Sequence, residues 1–203
     1  MVDKLKNLPS RTIIIGTAII LTAVFLLNGC ISFLSESSAR KDGSLLSKKM
    51  SVTDFVWNGI AEKEGVIITT DNDPQLILNG EQKFSSLRFY MESTAYPGEM
   101  VIYYTEKGDA GFSVQKRLWI VPDSQMNWYI VKTPMKSVTS LRIDPTMYAG
   151  NILEFGDFIF NEEKSLGEYF DISYGDIFNL VIYTGIISSV LKFLQEILKK
   201  QID

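Results

Sequence analysis

Residues 86–92 read SLRFYME, and the fold turns on how that heptapeptide is read. Leu87, Phe89 and Met91 alternate with Arg88, Tyr90 and Glu92. A period of two places the apolar side chains on one side of an extended chain and the others on the opposite side. That is the pattern of a strand with one dry face and one wet face; a helix would space its apolar positions three and four apart.

Working outward, residues 100–105 read MVIYYT, aromatic and β-branched as suits an inner strand, and Lys107-Gly108-Asp109 closes a turn behind them. Further β-type runs lie at 65–70, 75–78, 112–120, 128–133, 138–143 and 152–160. Turn residues separate them at Asn72-Asp73-Pro74, Tyr96-Pro97-Gly98, Pro122-Asp123-Ser124 and Ala149-Gly150-Asn151. About eight short runs at such spacing predict a mainly-β domain over residues 50–162, an antiparallel β-sandwich of the jelly-roll type. No long helical pattern and no internal repeat interrupts it.

Both flanks differ in kind. Residues 12–34, TIIIGTAIILTAVFLLNGCISFL, carry no charge over about 23 positions, more than a helix needs to cross a bilayer core. Lys4, Lys6 and Arg11 precede the run, which is the layout of a signal peptide or signal anchor. Basic residues tend to stay cytoplasmic, so residues 1–34 are expected to carry the rest of the chain outside. Leu27-Asn28-Gly29-Cys30 is similar to a bacterial lipobox, in which the cysteine is exposed by cleavage and lipidated; Asn28 and the apolar 31–34 depart from that pattern. Two readings stand open: an uncleaved span in which Cys30 is a small apolar residue, and a lipoprotein anchored through Cys30. Residues 35–49, rich in Ser, Lys and Gly, read as a linker.

At the far end, residues 163–203 hold a second apolar run, 177–191, followed by Lys192. Snorkelling of Lys192 extends it to 198 as a second transmembrane helix, while Thr184, Ser188, Lys192, Gln195, Glu196 and Lys199 recur at helical spacing as an amphipathic helix would. Small residues Gly185, Ser188 and Ser189 suit packing against a helix bearing Gly16 and Gly29.

Composition excludes several chemistries. The 203 residues contain no histidine, so His-metal sites, Ser-His-Asp triads and Cys-His dyads are absent. A single cysteine forbids an internal disulfide. The net charge of -4 and the lack of a basic stripe argue against nucleic acid as a partner. There is no phosphate loop and no nucleophile elbow, and no cofactor is implied. Asp71, Asp73, Asp109, Asp123 and Asp144 sit near turns; a glycosidase would need two such carboxylates facing one bond, but Asp at strand ends ordinarily caps the turn itself.

Aromatic residues carry the functional expectation. Sugars stack their C–H faces on rings that also offer a polar edge. Trp57, Tyr103, Trp119 and Trp128 are the candidate stacking residues, with Tyr90, Tyr104 and Tyr129 nearby in the sequence. Alternation sends Tyr103 and Tyr104 to opposite faces of their strand.

The order Asn72-Asp73-Pro74-Gln75-Leu76-Ile77-Leu78, Val101-Ile102-Tyr103-Tyr104, Phe112-Ser113 and Leu141-Arg142-Ile143-Asp144-Pro145 resembles a bacterial jelly-roll domain. That domain is similar to carbohydrate-binding modules and occurs in membrane and secreted proteins of surface-polysaccharide assembly. The resemblance spans residues 71–161 and brings no catalytic residues with it. It implies a non-enzymatic glycan-binding or accessory domain held outside a bacterial cytoplasmic membrane. The alternative is a structural subunit that docks onto a polytopic membrane partner such as a glycosyltransferase. Arg142 and Asp144 are read as a structural pair closing the last strand.

Overall fold

A computed structural model describes residues 8–172 and 174–200. They fall into two compact units, Ser35–Glu163 and a second formed by Met1–Leu34 with Lys164–Asp203.

The Ser35–Glu163 unit is an antiparallel β-sandwich. Its strands are β1 (Lys48–Met50), β2 (Val56–Asn58), β3 (Ile60–Lys63), β4 (Val66–Thr69), β5 (Gln75–Ser93), β6 (Val101–Thr105), β7 (Arg117–Trp119), β8 (Val121–Pro122), β9 (Trp128–Asp144) and β10 (Ile152–Phe160). The main order is β3-β4-β10-β5-β9-β6-β7, with β1, β2 and β8 attached to β10, β5 and β9.

β5 and β9 organise the domain. The expected runs 75–78 and 86–92 are two ends of one 19-residue strand, and 128–133 and 138–143 are two ends of its 17-residue partner. They merge because the interruptions are bulges rather than turns. Register slips between Asn79 and Gln82, where Gly80 has φ 134°, and again between Phe84 and Ser86. Opposite the second slip β9 carries Pro134, whose missing N–H costs nothing where the ladder is already broken. Each bulge bends the ribbon without ending it.

Because of those bends the sheet closes over one core. Leu76, Ile102, Leu141 and Ile143 come from one half, and Leu87, Phe89, Met91, Val131, Phe158 and Phe160 from the other. Phe89 lies nearly parallel to Phe158 at 5.1 Å, and Phe55 tilts onto Phe158 at 4.8 Å. Of the opening heptapeptide, Leu87, Phe89 and Met91 are fully enclosed, so its two-residue period is the core period of β5.

Elsewhere the ends of elements depart from expectation. Strands β1, β2 and β3 occupy 48–63, where the hydrophobic pattern is too short to stand out. Only Arg117–Trp119 of the run 112–120 pairs as β7. The helix over the first apolar run continues to Lys41, so nearly half of the expected linker is helical. At the sandwich's other end Asn161 acts as a clamp. Its φ is 51°, it is buried, its Oδ1 accepts from Ser85 N, and its Nδ2 donates to Leu46 O and Lys83 O.

In the second unit lie most of helix α1 (Ser10–Lys41) and all of α2 (Tyr174–Lys200). Both are long and apolar enough to cross a membrane. Their burial is inverted relative to a water-soluble helix pair. Ile19, Leu27, Phe178 and Val181 are exposed, whereas Thr17, Thr184, Ser188 and Gln195 are buried. Gln195 Nε2 donates to Leu8 O at 3.2 Å. Gly29 makes room for an aromatic partner, since a Cβ there would stand 2.7 Å from Phe170 Cε1. Lys4 and Lys6, which suggested the orientation, lie outside the described residues.

Candidate functional site

Strand register assembles a face that no single segment announces. Tyr103 on β6 stands opposite Arg142 on β9 and Arg117 on β7. Arg142 in turn stands opposite Ile77 on β5, and Ile77 opposite Val56 on β2. Directly paired residues share a side of the sheet, so Arg117, Tyr103, Arg142, Ile77 and Val56 form one row across five strands. The adjacent row is Leu118, Ile102, Ile143, Leu76 and Trp57, and it faces the core. Trp119 and Asp144 both pair with Val101 and therefore belong to the outer side, one step along from Tyr103.

This geometry sorts the candidate aromatic residues. Tyr103 and Trp119 are brought together on the outer face. Trp119 is 46% exposed, and Tyr103 is half-buried while Tyr104 enters the core. Trp57 is not part of the face. It packs on the core and its Nε1 donates to Val52 O at 2.8 Å, which anchors the short 3-10 turn Val52–Asp54. Trp128 lies on the other half of the sandwich, paired with Tyr90.

Arginines flank the rings. The Arg117 guanidinium carbon is 4.6 Å from the Trp119 ring centroid, and that of Arg142 is 5.1 Å from Tyr103. Arg142 is itself fixed by Asp144 through bonds of 2.7 and 2.8 Å and by a short contact to Asp73. From Asp73 the network runs on. Gln75 Nε2 donates to Asp73 Oδ2 at 2.6 Å, and Asn58 Nδ2 donates to Gln75 Oε1 at 3.1 Å. Ser140 donates to Asn79 at 2.9 Å on the same strands. Burial pushes the Asp144 carboxyl above the ordinary carboxylate value, and the Arg142 bonds pull only part of the way back. For Arg142, burial opposes the charge, but the bonds and charge of Asp144 with the charge of Asp73 outweigh it.

Such a surface offers ring faces for C–H stacking beside planar amide, guanidinium and carboxylate groups that both donate and accept. The other aspartates stay local. Asp71 accepts from Asp73 N, Asp109 from Glu106 N and Lys116, and Asp123 from Arg88 and Ser124 N. Among the described residues no group of three or more His, Cys, Asp or Glu side chains could hold a metal ion. Cys30 is exposed on α1.

Arg117, Gln75, Asn58 and Asn79 went unnoticed in the sequence, because a single chain does not reveal which strands are neighbours. The only available signal was alternation: Tyr103 and Trp119 each stand two residues or fewer from a charged or apolar neighbour of known facing.

No protein-family model matches the chain, and no curated protein matches it. Among solved structures it is similar to a low affinity xylan binding module, CBM86, from Roseburia intestinalis. The identity is 9%, covering 60% of this chain and 98% of that one, with a TM-score of 0.40. It is also similar to the carbohydrate-binding module CBM29-2, in a mutant complexed with cellohexaose, at 13% identity over 56% of this chain and 90% of that one, with a TM-score of 0.39.

Proposed function

We propose that this protein is a membrane-anchored, extracytoplasmic glycan-binding subunit that serves cell-surface polysaccharide assembly without catalysis of its own. The observation that carries the reading is the outer face on which Tyr103 and Trp119 stand beside Arg117, Arg142 and an amide–carboxylate network. A sugar ring stacks on the exposed Trp119, and its hydroxyls exchange bonds with Gln75, Asn58 and the Arg142–Asp144 pair. Anchoring is by α1 as an uncleaved span. Cleavage before Cys30 would remove Gly29 and its fit against Phe170. Helix α2 is the returning span, its hydroxyls turned inward and its apolar side chains outward.

A glycan microarray probed with the full chain in detergent micelles tests the reading. Retention on one glycan class by the natural protein, lost in a Tyr103→Ala, Trp119→Ala double variant, is expected. Equal retention by both would refute it.

A second reading, a structural subunit docked on a polytopic partner such as a glycosyltransferase, draws support from α2. Phe178 and Val181 are exposed on α2, an apolar face that the helices of such a partner would cover. Copurification of a polytopic membrane protein, abolished by Phe178→Ala with Val181→Ala while glycan retention persists, would favour it.

A further inference from the structure

We infer that the sandwich has a second glycan site on the opposite outer face, a corner built by Tyr90 and Trp128 that takes a sugar carrying a free ammonium group. The two faces are opposite because Arg88, Tyr90 and Glu92 point away from the core on the second half of β5. The first site uses the outward side of the first half.

The floor of the corner is Tyr90. Its cross-strand neighbour on β10 falls in the bulge between Phe155 and Phe158, where the chain has Gly156. A Cβ at Gly156 would sit 3.0 Å from Tyr90 Cβ and 3.6 Å from both Cγ and Cδ1, so the ring lies along the strand in the space that a side chain would fill. The wall is Trp128, directly opposite Tyr90 on β9, with ring centroids 6.0 Å apart and planes at 69°. Arg88 stacks on that wall and holds it in place. Its guanidinium carbon is 4.3 Å from the Trp128 centroid, and Asp123 and Gln125 fix it at 2.7 and 2.9 Å. A floor and an upright wall meeting at a steep angle accept the face and the edge of one pyranose ring.

The rim selects the charge. Tyr90 Oη donates to Glu92 at 2.9 Å, and the Asn127 side chain also reaches that hydroxyl. Glu154 stands directly opposite Glu92 on β10. Two carboxylates facing each other across a ladder repel, and no described cation pairs with either. An ammonium group placed between them relieves that repulsion and supplies the missing donor. An amino sugar with a free amine brings both the C–H face for Tyr90 and the cation for the glutamates.

The inference rests on the reading of the domain as a glycan binder but uses different residues, so the two can fail separately. The full chain in detergent micelles is titrated with glucosamine hexamer and with N-acetylglucosamine hexamer, following tryptophan fluorescence and heat. Tighter binding of the free-amine hexamer is expected. Tyr90→Ala should weaken it about tenfold, the loss of one ring contact. Tyr90→Phe should keep it, which separates stacking from misfolding. Glu92→Gln with Glu154→Gln should abolish the preference over the acetylated hexamer. Equal affinity for the two hexamers, or undiminished binding by a folded Tyr90→Ala variant, overturns the second site even where Trp119-dependent glycan retention persists. Binding that depends on Tyr90 while nothing depends on Trp119 supports the second site and sinks the first.

Discussion

Arg142 and Asp144, two residues apart on β9, point to the same outer side and meet through hydrogen bonds of 2.7 and 2.8 Å. The carboxylate is the more enclosed partner, 12% exposed against 19% for the arginine side chain. The pair holds Arg142 beside Tyr103 and links it to Asp73, Gln75 and Asn58, so it is the scaffold of the candidate face. Replacing Arg142 by Ala leaves an enclosed carboxylate unpaired, which costs about 2–3 kcal/mol. Chemical denaturation of Arg142→Ala against Asp144→Asn should show the first as the more damaging change.

Two aspartates give opposite pH signatures. The Arg88 bond first, and Ser124 N–H second, hold Asp123 below the ordinary carboxylate value of 3.8. A lowered folded value means stability that is present above 3.8 and lost as pH falls through the folded value. Asp144 is raised by burial, so its contribution is present below 3.8 and lost as pH rises through its folded value. Denaturation at stepped pH should therefore show Asp123→Asn flattening the acid limb and Asp144→Asn reducing the slope on the other side.

Asn161 should be among the least replaceable residues of the sandwich. Its side chain makes four bonds from a left-handed backbone at φ 51°. Asn161→Ala loses the bonds and keeps the backbone penalty, for a total of about 3–4 kcal/mol. Asn161→Gly loses the bonds alone and should be less harmful by about 1 kcal/mol. Urea midpoints for the two variants check the order.

The anchor makes a prediction about mass. An uncleaved span leaves Cys30 unmodified within α1, and mass measurement of protein from the membrane fraction should show that the residues before Cys30 are retained. Ile19→Arg, at an exposed apolar position of α1, should reduce membrane retention under alkaline extraction, since a central arginine costs about 2.5–3.5 kcal/mol. A mass beginning at a lipidated Cys30 would contradict the span.

What could be read from the chain alone followed the reach of each signal. Leu87, Phe89 and Met91 declared their strand because alternation is local, and the charge-free runs declared their helices because length is local. The continuity of β5 and β9 was hidden, because Gly80 and Pro134 look like ends of strands and act here as bends. The face was half legible. Tyr103 and Trp119 stood out as aromatic residues, but Arg117 and Arg142 join them only through pairing across β7, β6 and β9. Trp57 misled for the same reason. Nothing in its own segment says that the partner row, Leu76 and Ile143, turns inward. Nor could Tyr90 be promoted over its neighbours without the glycine beneath it.

Binding by the outer face is the central claim, and a calorimetric titration tests it most directly. The glycan retained on the microarray is titrated into the natural chain, Trp119→Ala and Trp57→Phe. The account predicts that Trp119→Ala weakens binding about tenfold with an unchanged denaturation midpoint. It predicts that Trp57→Phe, which loses the bond to Val52 O, lowers the stability by about 1 kcal/mol and leaves affinity intact. Undiminished affinity in a folded Trp119→Ala variant, or a loss confined to Trp57→Phe, would contradict it.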